Sequence, residues 1–121
     1  MKMDRTALEQ YIVDEYGAER EHLWAKFPNY TVFRHYKNRK WFALIMDIAQ
    51  SKIGIDGTDI IDVLDIRCDP VLIGSFLHDD GFYPAYHMNK NSWITIALDG
   101  RVDAEKIKLL LDMSFEIAGK K

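Results

Sequence analysis

The sequence predicts an α+β fold in which an antiparallel sheet carries its helices packed on one face. Three observations point there. Apolar residues recur at helical spacing near both ends of the chain, alternating or wholly apolar runs of strand length lie between them, and tight turns join neighbouring strands.

Asp4 is placed to N-cap a first helix, with Leu8, Tyr11, Ile12 and Glu15 or Tyr16 at helical spacing and Gly17 as its stop. The apolar stripe is narrow, so this helix lies on the face of something else. Residues 22–28 predict a short strand before the Pro28-Asn29 turn. Residues 31–36 alternate, with Val32, Arg34 and Tyr36 on one side and Thr31, Phe33 and His35 on the other. Lys37-Asn38 serves as a hairpin turn, and residues 40–48 follow as a strand apolar on both sides, hence central and covered. Residues 51–57 form a connection ending in Asp56-Gly57. Residues 60–67 predict the next strand, with Asp62 and Asp65 at wetter positions.

Asp69-Pro70 marks a helix start, a carboxylate N-cap followed by proline at the first helical position. That helix runs over Val71, Leu72, Phe76 and Leu77 and stops at Asp79-Asp80-Gly81. Residues 82–91 are expected to be irregular or extended. Residues 93–98 alternate as a strand that closes at Asp99-Gly100. Asp103 caps a final helix with Ile107, Leu110, Leu111, Phe115 and Ala118 on its inner face and Gly119 at its end. No repeat or linker divides the chain, so residues 1–121 form one domain.

Composition narrows the function classes. The single cysteine, Cys68, excludes an intrachain disulfide and a cysteine-built zinc site, and reads as a small hydrophobe. The longest apolar run, Trp41 to Met46, is far short of a membrane span, and no apolar signal core follows Met1, so a cytoplasmic protein without a membrane partner is expected. Net charge is −3, but the charge is segmental: residues 22–46 contain no acid and five basic residues, while residues 47–80 carry eight acids and two bases.

Catalytic patterns are missing. Ser51, Ser75, Ser92 and Ser114 lie outside any nucleophile elbow, and neither glycine-rich phosphate motif occurs, so no catalytic residue and no cofactor is expected. His22, His35, His78 and His87 form no helical ligand pair. His78-Asp79-Asp80 has ligand chemistry, yet a helix end and an Asp-Gly turn account for it. The acids Asp14, Glu15, Glu19 and Glu21 could hold a hard cation or simply be a solvated helix face.

The remaining candidate is basic and aromatic. Lys26, Arg34, Lys37, Arg39 and Lys40 interleave with Trp24, Phe27, Tyr30, Phe33, Tyr36, Trp41 and Phe42. Cations neutralise phosphates and aromatic rings stack on bases, a combination suited to nucleic acid. Basic residues at a turn are also ordinary surface, and Phe33, Trp41 and Phe42 also fit a core.

The run Pro84-Ala85-Tyr86-His87-Met88-Asn89-Lys90, followed by Trp93 and Leu98-Asp99-Gly100, resembles the signature of the MmcQ/YjbR family. Pro28-Asn29-Tyr30-Thr31-Val32-Phe33-Arg34 with Lys40-Trp41-Phe42-Ala43, the stretch from Asp62 to Pro70, and Ser114-Phe115 extend the likeness over nearly the whole chain. The resemblance implies a frataxin-like (CyaY-like) two-layer sandwich and a DNA-binding role through protruding hairpins. On it, Arg34, Lys37, Arg39 and Lys40 would form one wing, and His87, Asn89, Lys90 and Trp93 a second contact segment. The leading expectation is therefore a small non-enzymatic DNA-binding protein. Alternatives are a protein- or ligand-interaction module with an aromatic groove, and a frataxin-like metal binder using the acids of the first helix.

Overall fold

A computed structural model describes residues 3–120. Helix α1 (Arg5–Tyr16) begins where the Asp4 carboxylate accepts the Ala7 N–H at 2.9 Å, and it ends at Gly17, whose φ of 63° needs no Cβ to be accommodated. Strands β1 (Thr31–Arg34), β2 (Trp41–Ala49) and β3 (Ile60–Arg67) follow, with a 3-10 turn at Gln50–Ile53 between the last two. Then come α2 (Pro70–Phe76), capped by Asp69, the short β4 (Phe82–Pro84), β5 (Trp93–Ala97) and α3 (Ala104–Gly119), capped by Asp103.

The five strands form one sheet in the order β1-β2-β3-β5-β4, every neighbouring pair antiparallel. Side chains directly opposite each other share a face, so register sorts the core into two layers. Phe33, Ala43, Ile66 and Ile94 form one row on the helix side, with Ile45, Leu64, Ile96 and Phe82 the next. Against them lie Leu8 and Ile12 of α1, Ile73 of α2, and Ile107, Leu110 and Leu111 of α3. Burial of each large apolar side chain there contributes on the order of 2 kcal/mol against exposure.

The opposite face is also covered, but by irregular chain. Val32, Leu44, Met46, Ile48 and Val63 are buried under Tyr30, Trp24, Ile53, Tyr86 and Met88. This explains a β2 that is apolar on both sides: helices shield one, and three loop segments shield the other.

Three expectations needed correction. Residues 22–28 are not a strand; the chain there makes only the isolated bridge Glu21↔Val32 and then spends its backbone groups on turns, Phe27 N–H to Trp24 O at 3.2 Å and Tyr30 N–H to Phe27 O at 3.0 Å. β1 stops at Arg34, because a register irregularity at Phe33/Arg34 is followed by a turn closed by His35 N–H to Lys40 O (2.7 Å) and Arg39 N–H to His35 O (2.9 Å). Asp65 is not a wet position but wholly buried, whereas Asp62 remains partly exposed and lies 3.5 Å from Arg5. Asp65 sits in the sheet between Leu44 and Thr95, and the chain after β4 is fastened to that same row by the Tyr86 N–H donating to Thr95 Oγ1 at 2.9 Å.

Candidate functional site

The loop-covered face holds a cavity of about 410 Å3. Leu44 of β2 and the ring of Trp41 at the start of that strand form part of it; Trp24, Phe27 and Tyr30 come from the turns before β1, and His87 and Met88 from the segment joining β4 to β5. Trp24 crosses its neighbours at steep angles. Trp24 stands edge-on to Tyr30 (centroids 5.8 Å apart, 69°) and to Trp41 (5.7 Å, 81°), while Phe27 stacks on Tyr30 at 4.7 Å. His87 approaches Tyr30 at 5.9 Å and Tyr86 at 4.4 Å. Such a lining offers several π faces and few competing polar groups, the makeup of a small-molecule pocket.

The segment 85–91 is held down by its own polar residues. The Tyr86 N–H donates to Thr95 Oγ1 at 2.9 Å, the Lys90 ammonium to Ala85 O at 2.9 Å, and the Asn91 N–H to Asn89 Oδ1 at 2.8 Å. These bonds hold His87 at φ 70°, a left-handed backbone that a non-glycine residue adopts at a cost of roughly 1 kcal/mol. His87 is thereby left exposed beside the rings.

Asp65 lies under this roof. Leu44, Asp65, Thr95 and Tyr83 are successive cross-strand partners, so Asp65 shares a face with Leu44 and is its direct neighbour. Its Oδ1 accepts the Thr95 hydroxyl at 2.5 Å, while Oδ2 is buried with no hydrogen-bond donor among the described residues. Burial pushes the Asp65 carboxyl up to about 8, and the Thr95 hydrogen bond and the Lys90 charge offset only part of that. The wall residue Tyr30 is raised too, chiefly by burial, then by Tyr86 and Asp47, with the Asp65 charge the smallest cause.

The basic residues separate into two groups. Arg34 donates from Nε to both Glu21 carboxylate oxygens (2.9 and 3.1 Å), and Arg39 reaches Glu21 Oε2 at 3.3 Å. The two guanidinium groups thus share the single charge of one acid immediately before the acid-free stretch. Lys37 and Lys40 stand exposed at the hairpin, the Lys37 ammonium 5.9 Å from the Tyr36 ring. In the second expected segment, Asn89 and Lys90 fasten their own loop. Trp93 is 3% exposed with the Arg67 guanidinium 4.8 Å from its ring, so it presents no face for a base to stack on. Among the described residues, no three His, Cys, Asp or Glu side chains stand where they could hold a metal ion. Glu21 of the acidic ridge is engaged with the two arginines, Asp79 pairs with Lys106, and Asp80 with Arg101.

The residues that line the pocket include several noted for their aromatic character, Trp24, Tyr30 and Trp41, whereas Asp65 and Thr95, in the cross-strand row beside Leu44, were not expected on this covered face. Their signal was an acid set between Leu64 and Ile66 in an otherwise apolar strand, a pattern that fits a buried carboxyl as well as a wet edge.

Fold and site together define a small α+β protein whose sheet is helix-covered on one side and, on the other, roofed by loops around an aromatic pocket. Within that class the chain belongs to the YjbR family, whose model matches residues 14–117. It is 35% identical over 116 residues to the uncharacterized protein YyaQ of Bacillus subtilis (strain 168), covering 95% of this chain and 98% of that one. A crystal structure of a protein from Pseudomonas syringae is 46% identical and superposes with a TM-score of 0.93 over 96% of this chain and 99% of that one. Protein DR2400 of Deinococcus radiodurans, 25% identical, superposes with a TM-score of 0.74 over 98% and 80% of the two chains. The resemblance read from the Tyr86-His87-Met88-Asn89-Lys90 run was therefore a correct guide to the family.

Proposed function

We propose that the protein acts by binding rather than catalysis, and that its site is the aromatic pocket on the loop-covered sheet face. The observation that carries this is the pocket's composition. Four aromatic side chains, Trp24, Phe27, Tyr30 and Trp41, converge with Leu44, Met88 and His87 on one cavity large enough for a small flat ligand. An NMR titration of labelled protein with indole and benzyl alcohol tests it. The indole N–H signals of Trp24 and Trp41 are expected to shift while that of buried Trp93 stays in place, and Trp24→Ala should weaken binding at least about tenfold. Shifts confined to other surfaces, or none, would sink the proposal.

A second reading, DNA binding, is favoured by the exposed Lys37 and Lys40 on the hairpin and Lys26 on the loop before β1. Phosphate contacts by these lysines would give binding that weakens steeply with salt. Fluorescence anisotropy of labelled duplex and single-stranded DNA between about 50 and 200 mM salt checks this, with the double change Lys37→Glu and Lys40→Glu as the control. Salt-insensitive binding, or affinity untouched by the charge reversals, would remove DNA from consideration.

The same proposal keeps the finer likeness to a CyaY-like sandwich, supported by helices at both ends of the chain lying on one sheet face. It also keeps a cytoplasmic setting. Among the described residues no helix is long and apolar enough to cross a membrane.

A further inference from the structure

We propose that the aromatic pocket selects an organic cation bearing an N–H donor, an alkyl- or arylalkylammonium ion, and that Asp65 is the residue that recognises its charge. This rests on the pocket reading above and deepens it.

Two features meet on one sheet face. The first is a set of steeply crossed rings, whose faces carry the negative side of the aromatic quadrupole and attract cations. The second is a carboxyl in the row beneath them, fully buried, with one oxygen lacking any donor among the described residues. Leu44 lines the pocket and is the direct cross-strand neighbour of Asp65, so the two side chains stand about 5 Å apart on the same face. Tyr30, another wall residue, is close enough to feel the Asp65 charge.

An unpaired buried carboxyl is costly, and native structures ordinarily pair such a group. The cation nearest at hand does not do so, because the Lys90 ammonium donates to Ala85 O and affects Asp65 only through space. From β5, Asp65 meets the neutral Thr95 hydroxyl; its neighbour on β2 is Leu44; the Tyr30 phenol interacts with it only through space; and Arg67 is the next residue on its own strand that shares its face. The Arg67 guanidinium is directed to Trp41 O and the Trp93 ring. Arg34, 5.9 Å from the Trp41 ring, is already matched by Glu21 and adds little repulsion. An ammonium ion entering the pocket would bring both things that Asp65 lacks, a counter-charge and an N–H for Oδ2.

Proton balance follows. Asp65 holds a proton at neutral pH, so a ligand arriving as R–NH3+ and pairing with the carboxylate must send that proton to solvent. Affinity should fall about tenfold for each unit that pH drops below the Asp65 pKa and level off as pH rises past it.

The test is isothermal titration of the intact protein near neutral pH with benzylammonium and with its neutral isostere benzyl alcohol, in two buffers of different ionisation enthalpy. Trp24 and Trp41 indole signals are followed by NMR in parallel. The expected result is benzylammonium binding at least about tenfold tighter, with about one proton released per ligand. Asp65→Asn, which keeps the side-chain shape, should erase both the preference and the proton release. Should that variant fail to fold, the wild-type proton count still decides. Equal binding of the two compounds with no proton release would overturn the role of Asp65 while leaving the pocket reading intact. If neither compound shifts the two indole signals, both proposals fall.

Discussion

At the scale of single residues, Asp65 carries the clearest consequence. Its carboxyl has an ordinary value near 3.8 in the unfolded chain and is raised to about 8 in the fold. The native state therefore keeps a proton that the unfolded chain releases. Its unfavourable effect is absent below the unfolded value, grows as pH rises from about 4 to 8 at roughly 1.4 kcal/mol per unit, and is constant above. Chemical denaturation of the wild type should show stability falling across that window, whereas Asp65→Asn should flatten that slope and be the more stable protein at alkaline pH. Equal slopes in the two proteins would mean that Asp65 ionises freely in the fold. The sequence hid this residue because its surroundings are set by partners far along the chain, Leu44 on β2 and Thr95 on β5, which no local pattern encodes. His87 is comparable: its left-handed backbone follows from the bonds made by Tyr86, Asn89 and Lys90, not from its own propensity.

At the scale of elements, the β1–β2 hairpin and the end of α3 are fitted to each other. The Asn38 amide donates to Ala118 O at 2.7 Å, and the His35 ring stacks on Phe115 at 4.0 Å. Gly119 touches the same ring, and a Cβ placed there would stand 2.6 Å from His35 Nε2. Helix propensity alone would make Gly119→Ala stabilising by up to about 1 kcal/mol. The ring cannot give way easily, since Phe115 stacks on it and its Nδ1 accepts the Lys37 N–H at 3.1 Å. We expect the substitution to cost about 1–2 kcal/mol instead, visible as a lower melting temperature. A rise in melting temperature would show that the hairpin yields. Most elements were legible because their signals are local. Asp4, Asp69 and Asp103 all cap helices as expected, and β3 spans residues 60–67 as read. Residues 22–28 were not, because aromatic composition there suits a strand, whereas Trp24 packs, with the following Tyr30, on a sheet made elsewhere in the chain and Phe27 stays exposed, stacked on Tyr30.

At the scale of the whole molecule, the −3 net charge and the pairing of Arg34 and Arg39 with Glu21 both oppose attraction to a polyanion. If DNA is the partner, Glu21→Gln should tighten binding several-fold at low salt and steepen its salt dependence, because it frees two guanidinium groups. Unchanged anisotropy titrations would show that the hairpin arginines do not meet phosphate. The two ends of the sheet bear on partners of another kind. β4 is three residues long and closes with Pro84, which has no N–H to offer, and at the other side Glu21 bridges β1 at Val32. Neither border is a long, open row of backbone donors and acceptors. An extended peptide would find no template on which to add itself as a sixth strand, and copies of the chain would have little means of zipping border to border. Recognition is thereby directed to side chains on the sheet's face, and crowding the protein to high concentration should not seed fibrils through its native state.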